Sequence, residues 1–354
     1  MRLSLSVFGV SEIVVALIVS TSFAHAVPHP EARVDQHPAY AVTGQILEPR
    51  LFAEGIISTV DDEIGGSFSP DGSDFYFTKL VPYTTFPRLG IMCVSHYVND
   101  HWSTPEALSF SGKNLDYAPR LDSTGKRMLF ASSRPLPDGT HGGIRIWEAE
   151  RTAAGWGEPR PLPPPVNPPG SHWSGDPSVA DDGTLYFSSD HDGPGTIHIY
   201  RSRFVNGEYS EPEKLGPEIN SEFNDAQPYV SPNGKVLIFA STGWGEPPFH
   251  RRPKEIMGGG KPYPRGDLYV SFDQNGRWTP ARHLEHNINT EAEEEYPFLT
   301  PDGKYLFFSS ERSPFTVPVA HRLNYGDLQS GLHSTLNGHG NVFFIGVEAL
   351  ELPQ

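Results

Sequence analysis

The chain has 354 residues, of which 37% are hydrophobic, with 35 glycines, 35 prolines and a formal net charge of −16. This length is enough for one large domain with a sizeable core, and the many turn-forming residues indicate many short strands. The negative charge excludes a nucleic-acid backbone as partner, because binding one needs a positive footprint. It also argues against binding to anionic membrane surfaces.

Residues 1–26 have the features of a signal peptide. Arg2 supplies a positive charge, residues 13–19 are apolar, and Ala24-His25-Ala26 is a small-x-small cleavage site, although Glu12 is an awkward charge beside the apolar stretch. The apolar run is too short to span a bilayer. We therefore expect a periplasmic or secreted protein with no membrane insertion after cleavage. Residues 27–45 would be an N-terminal extension, and residues 46–354 a single domain.

A tight turn of the Ser-Pro-Asp-Gly kind recurs five times, each time just before a run of aromatic and aliphatic residues. A short apolar run precedes each turn, and a third strand-like segment follows each aromatic run. The spacing of the turns is about that of one four-stranded propeller blade with its loops. The turn glycines are Gly72, Gly125, Gly183, Gly234 and Gly303. The pattern predicts an all-β chain built of five repeated units.

A fourth strand segment closes four of the five units and contains Trp102, Trp156, Tyr209 and Trp278. We interpret these aromatic residues as structural, because a ligand site seldom needs the same residue on every blade. The fifth unit lacks the segment, but residues 48–52 match it at the other end of the chain. We therefore predict a five-bladed β-propeller closed by an N-terminal strand near residues 46–52. The alternatives are an unpaired N-terminal extension and a sixth, irregular blade.

The turns, the aromatic runs, the Trp-x-x-Pro segments and the linkers Ile219-Asn220-Ser221 and Ile288-Asn289-Thr290 resemble the WD-like β-propeller repeats of the TolB type. The resemblance extends from about residue 46 to the C-terminus. It implies the propeller fold but leaves the function open, since such propellers serve as adaptors, as peptidoglycan-associated proteins and as parts of peptidases and lyases. These motifs carry over no residue of a known catalytic set.

Acidic residues recur in phase with the turns. Seven residues before the position of Pro70, successive units have Glu63, Asp116, Ser174, Asp225 and Glu294, and Asp176 and Glu295 lie close by. In a propeller, the segment that leads into the innermost strand opens onto one end of the central channel, so we expect these carboxylates around its mouth. Three interpretations are open: hydrogen bonding within each blade, cation binding, and paired acid and base catalysis.

The connections between the second and third strands are long in the fourth unit (residues 242–266) and the fifth (residues 311–341), and we expect them on the same face. Long structured loops commonly carry function, which points to ligand binding at this channel mouth. The basic pair Arg251-Arg252 could instead be solvated or neutralise the acidic rim. The candidate binding residues are Glu63, Asp116, Arg120, Asp176, Asp225, Trp244, Arg251, Glu294, Glu295, Arg312 and His321.

The sequence contains no His-Glu-x-x-His motif, no paired cysteines and no nucleophile elbow. Residues 258–261, Gly-Gly-Gly-Lys, lack the preceding strand and the following Ser or Thr of a phosphate-binding loop. We expect no cofactor, with a structural cation such as calcium left open. Cys93 is the only cysteine, so no intrachain disulfide can form, and we expect a buried structural thiol.

Two classes of function fit these features. The first, which we prefer, is a secreted or periplasmic binding module for a protein, peptide or glycan. The second is a glycan-active hydrolase or lyase with channel-mouth carboxylates as acid and base, which fold analogy alone supports. Two carboxyl groups about 5 to 10 Å apart across an open pocket would favour catalysis. Carboxylates bound to local backbone amides would favour a structural role.

Overall fold

The computed structural model describes residues 38–81, 89–170, 173–193, 195–243, 266–285, 287–315 and 322–350. These residues form a five-bladed β-propeller, as the sequence predicted. Each blade is an antiparallel sheet, and its first strand contacts the first strands of the two neighbouring blades around the central channel. None of the helices in the described ranges is long and apolar enough to cross a membrane.

The strands follow the order of the predicted repeats. The chain begins with β1 (Arg50–Leu51). Blade 1 consists of β2 (Asp62–Phe68), β3 (Asp74–Leu80), β4 (Gly90–Val98), β5 (His101–Trp102) and β6 (Glu106–Ala107). Blade 2 consists of β7 (Asp116–Leu121), β8 (Arg127–Ser132), β9 (Arg145–Thr152), β10 (Gly155–Trp156) and β11 (Arg160–Pro161).

Blade 3 consists of β12 (Ser174–Val179), β13 (Leu185–Ser189), β14 (His198–Ser202) and β17 (Glu213–Lys214), with a separate hairpin of β15 (Phe204–Val205) and β16 (Glu208–Tyr209). Blade 4 consists of β18 (Asp225–Val230), β19 (Val236–Ser241), β20 (Asp267–Gln274), β21 (Arg277–Trp278) and β22 (Arg282–His283). Blade 5 contains β23 (Glu294–Leu299), β24 (Tyr305–Ser310) and β25 (Asn341–Gly346). Helix α1 (Tyr325–Leu332) lies between β24 and β25, and a 3₁₀ helix (Val347–Leu350) follows β25.

The fourth strand of blade 5 comes from the N-terminal side of the chain. Strand β1 pairs antiparallel with β25, with Arg50 opposite Phe344 and Leu51 opposite Phe343. The amide of Phe52 extends this pairing by donating to the carbonyl of Val342 at 2.9 Å. This confirms the predicted closure. The ring therefore has no unpaired edge at the junction of blades 5 and 1.

The recurring aromatic residues of the outer strands pack between blades. Trp102 and Tyr209 are buried, whereas Trp156 and Trp278 are half-buried. Trp156 contacts Tyr76 of the preceding blade with ring centroids 5.9 Å apart, and Trp278 contacts Tyr186 of its preceding blade at 6.0 Å. These contacts agree with the structural role expected for all four. Cys93 is buried, with a free thiol.

Asparagines of the predicted linkers join the third and fourth strands of the blades. The side chain of Asn220 accepts from the Ile199 amide at 2.8 Å and donates to the carbonyls of Ile199 and Leu215, both at 2.9 Å. Asn167 and Asn289 make the equivalent bonds in blades 2 and 4. Each buried amide satisfies backbone groups that the irregular outer strand leaves without ladder partners.

The described residues before β1 pack on the propeller. Tyr40 is buried against Phe68 at 4.8 Å between ring centroids. A Cβ atom on Gly72 would lie 2.7 Å from the Tyr40 ring, and the φ of Gly72 is +73°, so this turn requires glycine. The domain boundaries at residues 26 and 45 stay predictions, and residues 1–37 lie outside the described residues.

Candidate functional site

The propeller channel has two chemically different ends. We call one of them the loop end. There, the first residue of an inner strand is hydrogen-bonded to the connection between the second and third strands of the preceding blade. Asp225 N–H donates to Ile197 O at 2.9 Å, and Glu294 N–H donates to Gly266 O at 3.0 Å. The repeated acidic residues and the connections between second and third strands therefore lie at the same end. The opposite end carries the glycine turns, and we call it the turn end.

The four repeat-phased carboxylates at the loop end are buried and bonded within their own blades. Glu63, Asp225 and Glu294 each accept from the backbone amide and the hydroxyl of the Ser or Thr four residues earlier. Three of them also accept from the serine opposite on the second strand, over distances of 2.5 to 2.8 Å: Asp116 from Ser132, Asp225 from Ser241 and Glu294 from Ser310.

Cations complete this network in three blades. Lys79 lies 2.9 Å from Glu63, Arg134 lies 2.8 Å from Asp116, and the Nε of Arg312 lies 3.7 Å from Glu294. Burial raises the pKa of Glu63 and of Glu294 in spite of these bonds. The geometry favours the interpretation that these carboxylates organise their own blades, and a part in ligand binding for them and for Arg312 stays a prediction.

The channel wall is made by a bulge in every inner strand. The first residue of each bulge has a positive φ of 50° to 60°, and a shift in strand register accompanies it. We call these residues the bulge ring: Gly65, Ala118, Asp176, Gln227 and Tyr296. Neighbouring members meet across blades, because a Cβ on Gly65 would lie 3.5 Å from the Ala118 backbone and 3.6 Å from the Tyr296 ring.

Asp176 is the acidic member of the bulge ring. Its side chain is 5% exposed, and its Oδ1 has no hydrogen-bond partner among the described residues. Burial raises the pKa of Asp176 to about 7, although the Ser188 hydroxyl and the charge of Arg120 act in the opposite direction. This carboxyl group therefore has one oxygen in the interior of the channel that accepts no hydrogen bond from the described residues.

Glu295 lies beside the bulge ring at the loop end and is half-buried. Gln227 Nε2 donates to its Oε2 at 3.1 Å, and no described Lys, Arg or His forms an ion pair with it. Burial and the like charges of Glu293 and Glu311, with a smaller contribution from Asp62, raise the pKa of Glu295 well above its usual range. Among the predicted carboxylates, Asp176 and Glu295 are the two that the fold brings to the channel.

Arg120 was predicted at the loop end, but the structure places it at the turn end. It lies four residues beyond Asp116 on β7, which at the rise of a strand is about 13 Å further along the channel. Its guanidinium crosses the channel, donating from Nη1 to the carbonyl of Gly66 and from Nη2 to that of Pro297 at 2.8 Å. It also lies over the rings of Tyr229 and Phe298, at 5.9 and 5.0 Å.

A cavity of about 230 Å³ opens at the turn end, with Arg120 in its wall. The residue two positions after each member of the bulge ring lines it, as do residues of four of the glycine turns. The inner-strand residues are Ser67, Arg120, Ser178, Tyr229 and Phe298, and the turn residues at the opening include Pro70, Ser123, Pro232 and Pro301.

The other candidates cannot be placed. Trp244, Arg251 and His321 lie outside the described residues. Within the described ranges, no group of three or more His, Cys, Asp or Glu residues is arranged to hold a metal ion. Binding of a structural cation stays a prediction.

Sequence reasoning missed the neutral residues of the channel, namely Tyr117, Gln227, Tyr229, Tyr296 and Phe298. A signal for the bulge ring was present, because Ala118, Asp176, Gln227 and Tyr296 each precede a proline. A residue before proline is restricted in conformation, and four copies in register indicate a repeated irregularity.

No protein-family model matches the chain, and no curated protein matches it. Among solved structures, it is similar to the α-L-arabinofuranosidase from Lactobacillus brevis, with 13% identity over 82% of this chain and 91% of that one and a TM-score of 0.47. Another is the α-L-arabinofuranosidase PaAbf62A from Podospora anserina, with 12% identity over 85% and 94% and a TM-score of 0.41.

A third is an oligogalacturonate lyase from Vibrio parahaemolyticus, with 11% identity over 81% of this chain and 66% of that one and a TM-score of 0.36. The chain spans only 30% of the length of a prolyl endopeptidase, with 14% identity over 70% of this chain and a TM-score of 0.37. Similarity at this level carries no argument about activity, and a TolB-type or other repeat family is not identified by it. The class that the structure defines is a five-bladed β-propeller.

Proposed function

We propose that this protein is a secreted or periplasmic binding module whose loop end binds a peptide or protein segment that presents a cationic side chain beside apolar side chains. The observation that carries the proposal is Glu295, a half-buried carboxyl group at the channel that accepts from Gln227 and forms no ion pair with a described Lys, Arg or His. The TolB-type resemblance of the repeats is compatible with a binding role but does not specify the partner.

The electrostatics of Glu295 favour a cation. A carboxyl group surrounded by like charges retains its proton because ionising it would add another negative charge in a poorly solvated place. An ammonium or guanidinium group can replace that proton and remove the repulsion from Glu293 and Glu311. Binding should then release a proton, and the affinity should rise with pH through the raised pKa of Glu295.

The apolar part of the surface is on α1, in the long connection of blade 5 at the same end. The helix is fixed by a capping box in which the Asn324 side chain accepts from Asp327 N and the Asp327 side chain accepts from Asn324 N. Tyr325, Leu328 and Leu332 are 76%, 39% and 48% exposed. Their spacing of three and four residues places them on one helix face, the pattern of an interaction surface.

The geometry gives less support to a glycan-active enzyme. Acid and base catalysis by two carboxyl groups needs one protonated and one ionised group. The pKa values of Asp176 and Glu295 are both raised, and the other predicted carboxylates are engaged in their blades. The carboxylates that accept from local backbone amides have the arrangement expected for a structural role rather than for an acid and base cycle.

The test uses the purified protein on a peptide array and a glycan array. The peptides carry one Lys or Arg beside two apolar residues, and matched peptides carry Glu in place of the cation. We expect binding to the cationic set only. Titration calorimetry in buffers of different ionisation enthalpy should show proton release on binding.

Matched variants then locate the site. Glu295→Gln should weaken binding about tenfold or more, the worth of a hydrogen bond to a charged group, and Leu332→Ser should weaken it as well. Glu208→Gln and Val205→Ser, at exposed positions of the blade 3 hairpin, are the controls. Unchanged affinity in both loop-end variants would refute the proposal. Release of sugar from an array glycan, abolished by Glu295→Gln, would establish the enzyme instead.

A further inference from the structure

The turn-end cavity has the features of a second binding site, independent of the loop end. It encloses about 230 Å³ and reaches into the channel as far as Arg120, whose side chain is 7% exposed. An engineered cavity of about 150 Å³ is large enough to hold benzene. This one therefore has room for a six-membered ring with a short substituent.

The guanidinium of Arg120 is only partly satisfied by the protein. It has five N–H groups, and the bonds that it makes within the described structure are to the two carbonyls of Gly66 and Pro297. No described carboxylate lies within ion-pair distance. The carboxyl group of Asp176, inside the channel, acts on Arg120 through its charge without forming an ion pair with it. Asp122, at the opening, accepts from Thr124 and from the amides of Lys126 and Arg127 in its own turn.

The surroundings of Arg120 select the kind of anion. A buried positive charge that lacks a counter-ion is costly, and a planar carboxylate matches the fork of a guanidinium. A phosphate monoester carries up to two negative charges, and no other described Lys or Arg lines the cavity to balance the second, so the single charge of a carboxylate is the better match. The rings of Tyr229 and Phe298 and the prolines at the opening provide an apolar wall for the rest of the ligand.

We infer that the turn-end cavity binds a small organic carboxylic acid, with its carboxylate on Arg120 and its apolar body between Tyr229, Phe298 and the turn prolines. The site lies at the opposite end of the channel from Glu295. Its ligand is therefore distinct from the cationic segment proposed for the loop end, and the two can be tested separately.

The probe is phenylacetate, with phenylacetamide as a neutral isostere of almost the same shape. We expect phenylacetate to raise the melting temperature of the full chain and to bind about 10- to 100-fold more tightly than the amide, the worth of a charge-assisted hydrogen bond. Arg120→Lys keeps the charge but loses the fork, and should weaken binding of the acid. If neither compound binds, or if both bind equally, the inference is wrong.

Arg120 also joins blades 1, 2 and 5, so a variant at this position could fail to fold. Ser123→Trp avoids that problem, because Ser123 is an exposed turn residue at the opening, and a large ring there should cover the cavity. Asp181→Trp at the same position of the blade 3 turn, which does not line the cavity, is the control. Binding of phenylacetate should be lost in Ser123→Trp and kept in Asp181→Trp. Wild-type affinity in a folded Ser123→Trp protein would overturn the assignment.

Discussion

Replacing Phe52 by alanine should strongly destabilise the junction between blades 5 and 1. The ring of Phe52 is buried just after β1 and contacts five other rings at centroid distances of 4.9 to 5.9 Å: Phe68, Phe75, Trp102, Phe307 and Phe344. A buried Phe→Ala change costs about 3–5 kcal/mol through lost transfer energy and the cavity left behind. Because the five surrounding rings are held by five different strands and cannot all collapse into the space, we expect the upper half of that range.

The assay is urea unfolding followed by tryptophan fluorescence, together with the melting temperature. At an unfolding entropy of roughly 2.1 cal/mol/K per residue, a loss of about 4–5 kcal/mol corresponds to a decrease in melting temperature of about 6–8 °C for a domain of this size. Arg50→Ala, an exposed position in β1, is the control and should change stability by less than about 0.5 kcal/mol. If Phe52→Ala were as stable as Arg50→Ala, the N-terminal strand would not hold the ring closed.

Three further predictions follow from burial and charge. The pKa of Asp176 is about 7 in the folded protein, above its value in the unfolded chain, so the protonated carboxyl stabilises the fold at low pH and this stabilisation is lost as the pH rises through 7. Asp176→Asn should therefore gain stability relative to wild type between pH 4 and pH 8. A difference in unfolding free energy that stays constant over this range would contradict the prediction. Burial raises the pKa of Cys93 to about 11, so a thiol reagent at pH 8 should modify it slowly in the native protein and rapidly in urea. Trp102→Ala should lower the free energy of unfolding in urea by about 3–5 kcal/mol, and Trp156→Ala should lower it clearly less, because only Trp102 is buried. Equal decreases in the two variants would show that the exposure of the side chain does not govern what these contacts contribute.

The fold could be predicted because its signals are local and repeated. Each glycine turn fixes the end of one strand and the start of the next, and five copies in phase define five blades. The closing strand could be found because residues 48–52 resemble the fourth segments of the other units. That match identified the partner of β25 although the two strands are far apart in sequence.

The site was predicted less well, because sequence spacing does not reveal which groups a side chain will meet. Asp116 and Arg120 are near each other in the chain, but an extended strand separates them along the channel, so that they lie at opposite ends. The phase of Asp225 with the other carboxylates goes with its bonds to Ser221 and Ser241, which spacing alone does not reveal, and its part in ligand binding stays a prediction. The bulge ring depends on backbone conformations that no single residue type specifies.

The pairing of β1 with β25 also sets the order in which the molecule can be completed on the ribosome. Blades 1 to 4 are each built from consecutive segments and can form as they emerge. Strand β1 is made before blades 1 to 4, but its partners Phe343 and Phe344 are synthesised only after them. The nascent propeller is therefore an open arc with exposed strand edges until the last blade appears, which makes this interval the period when chaperone protection matters most.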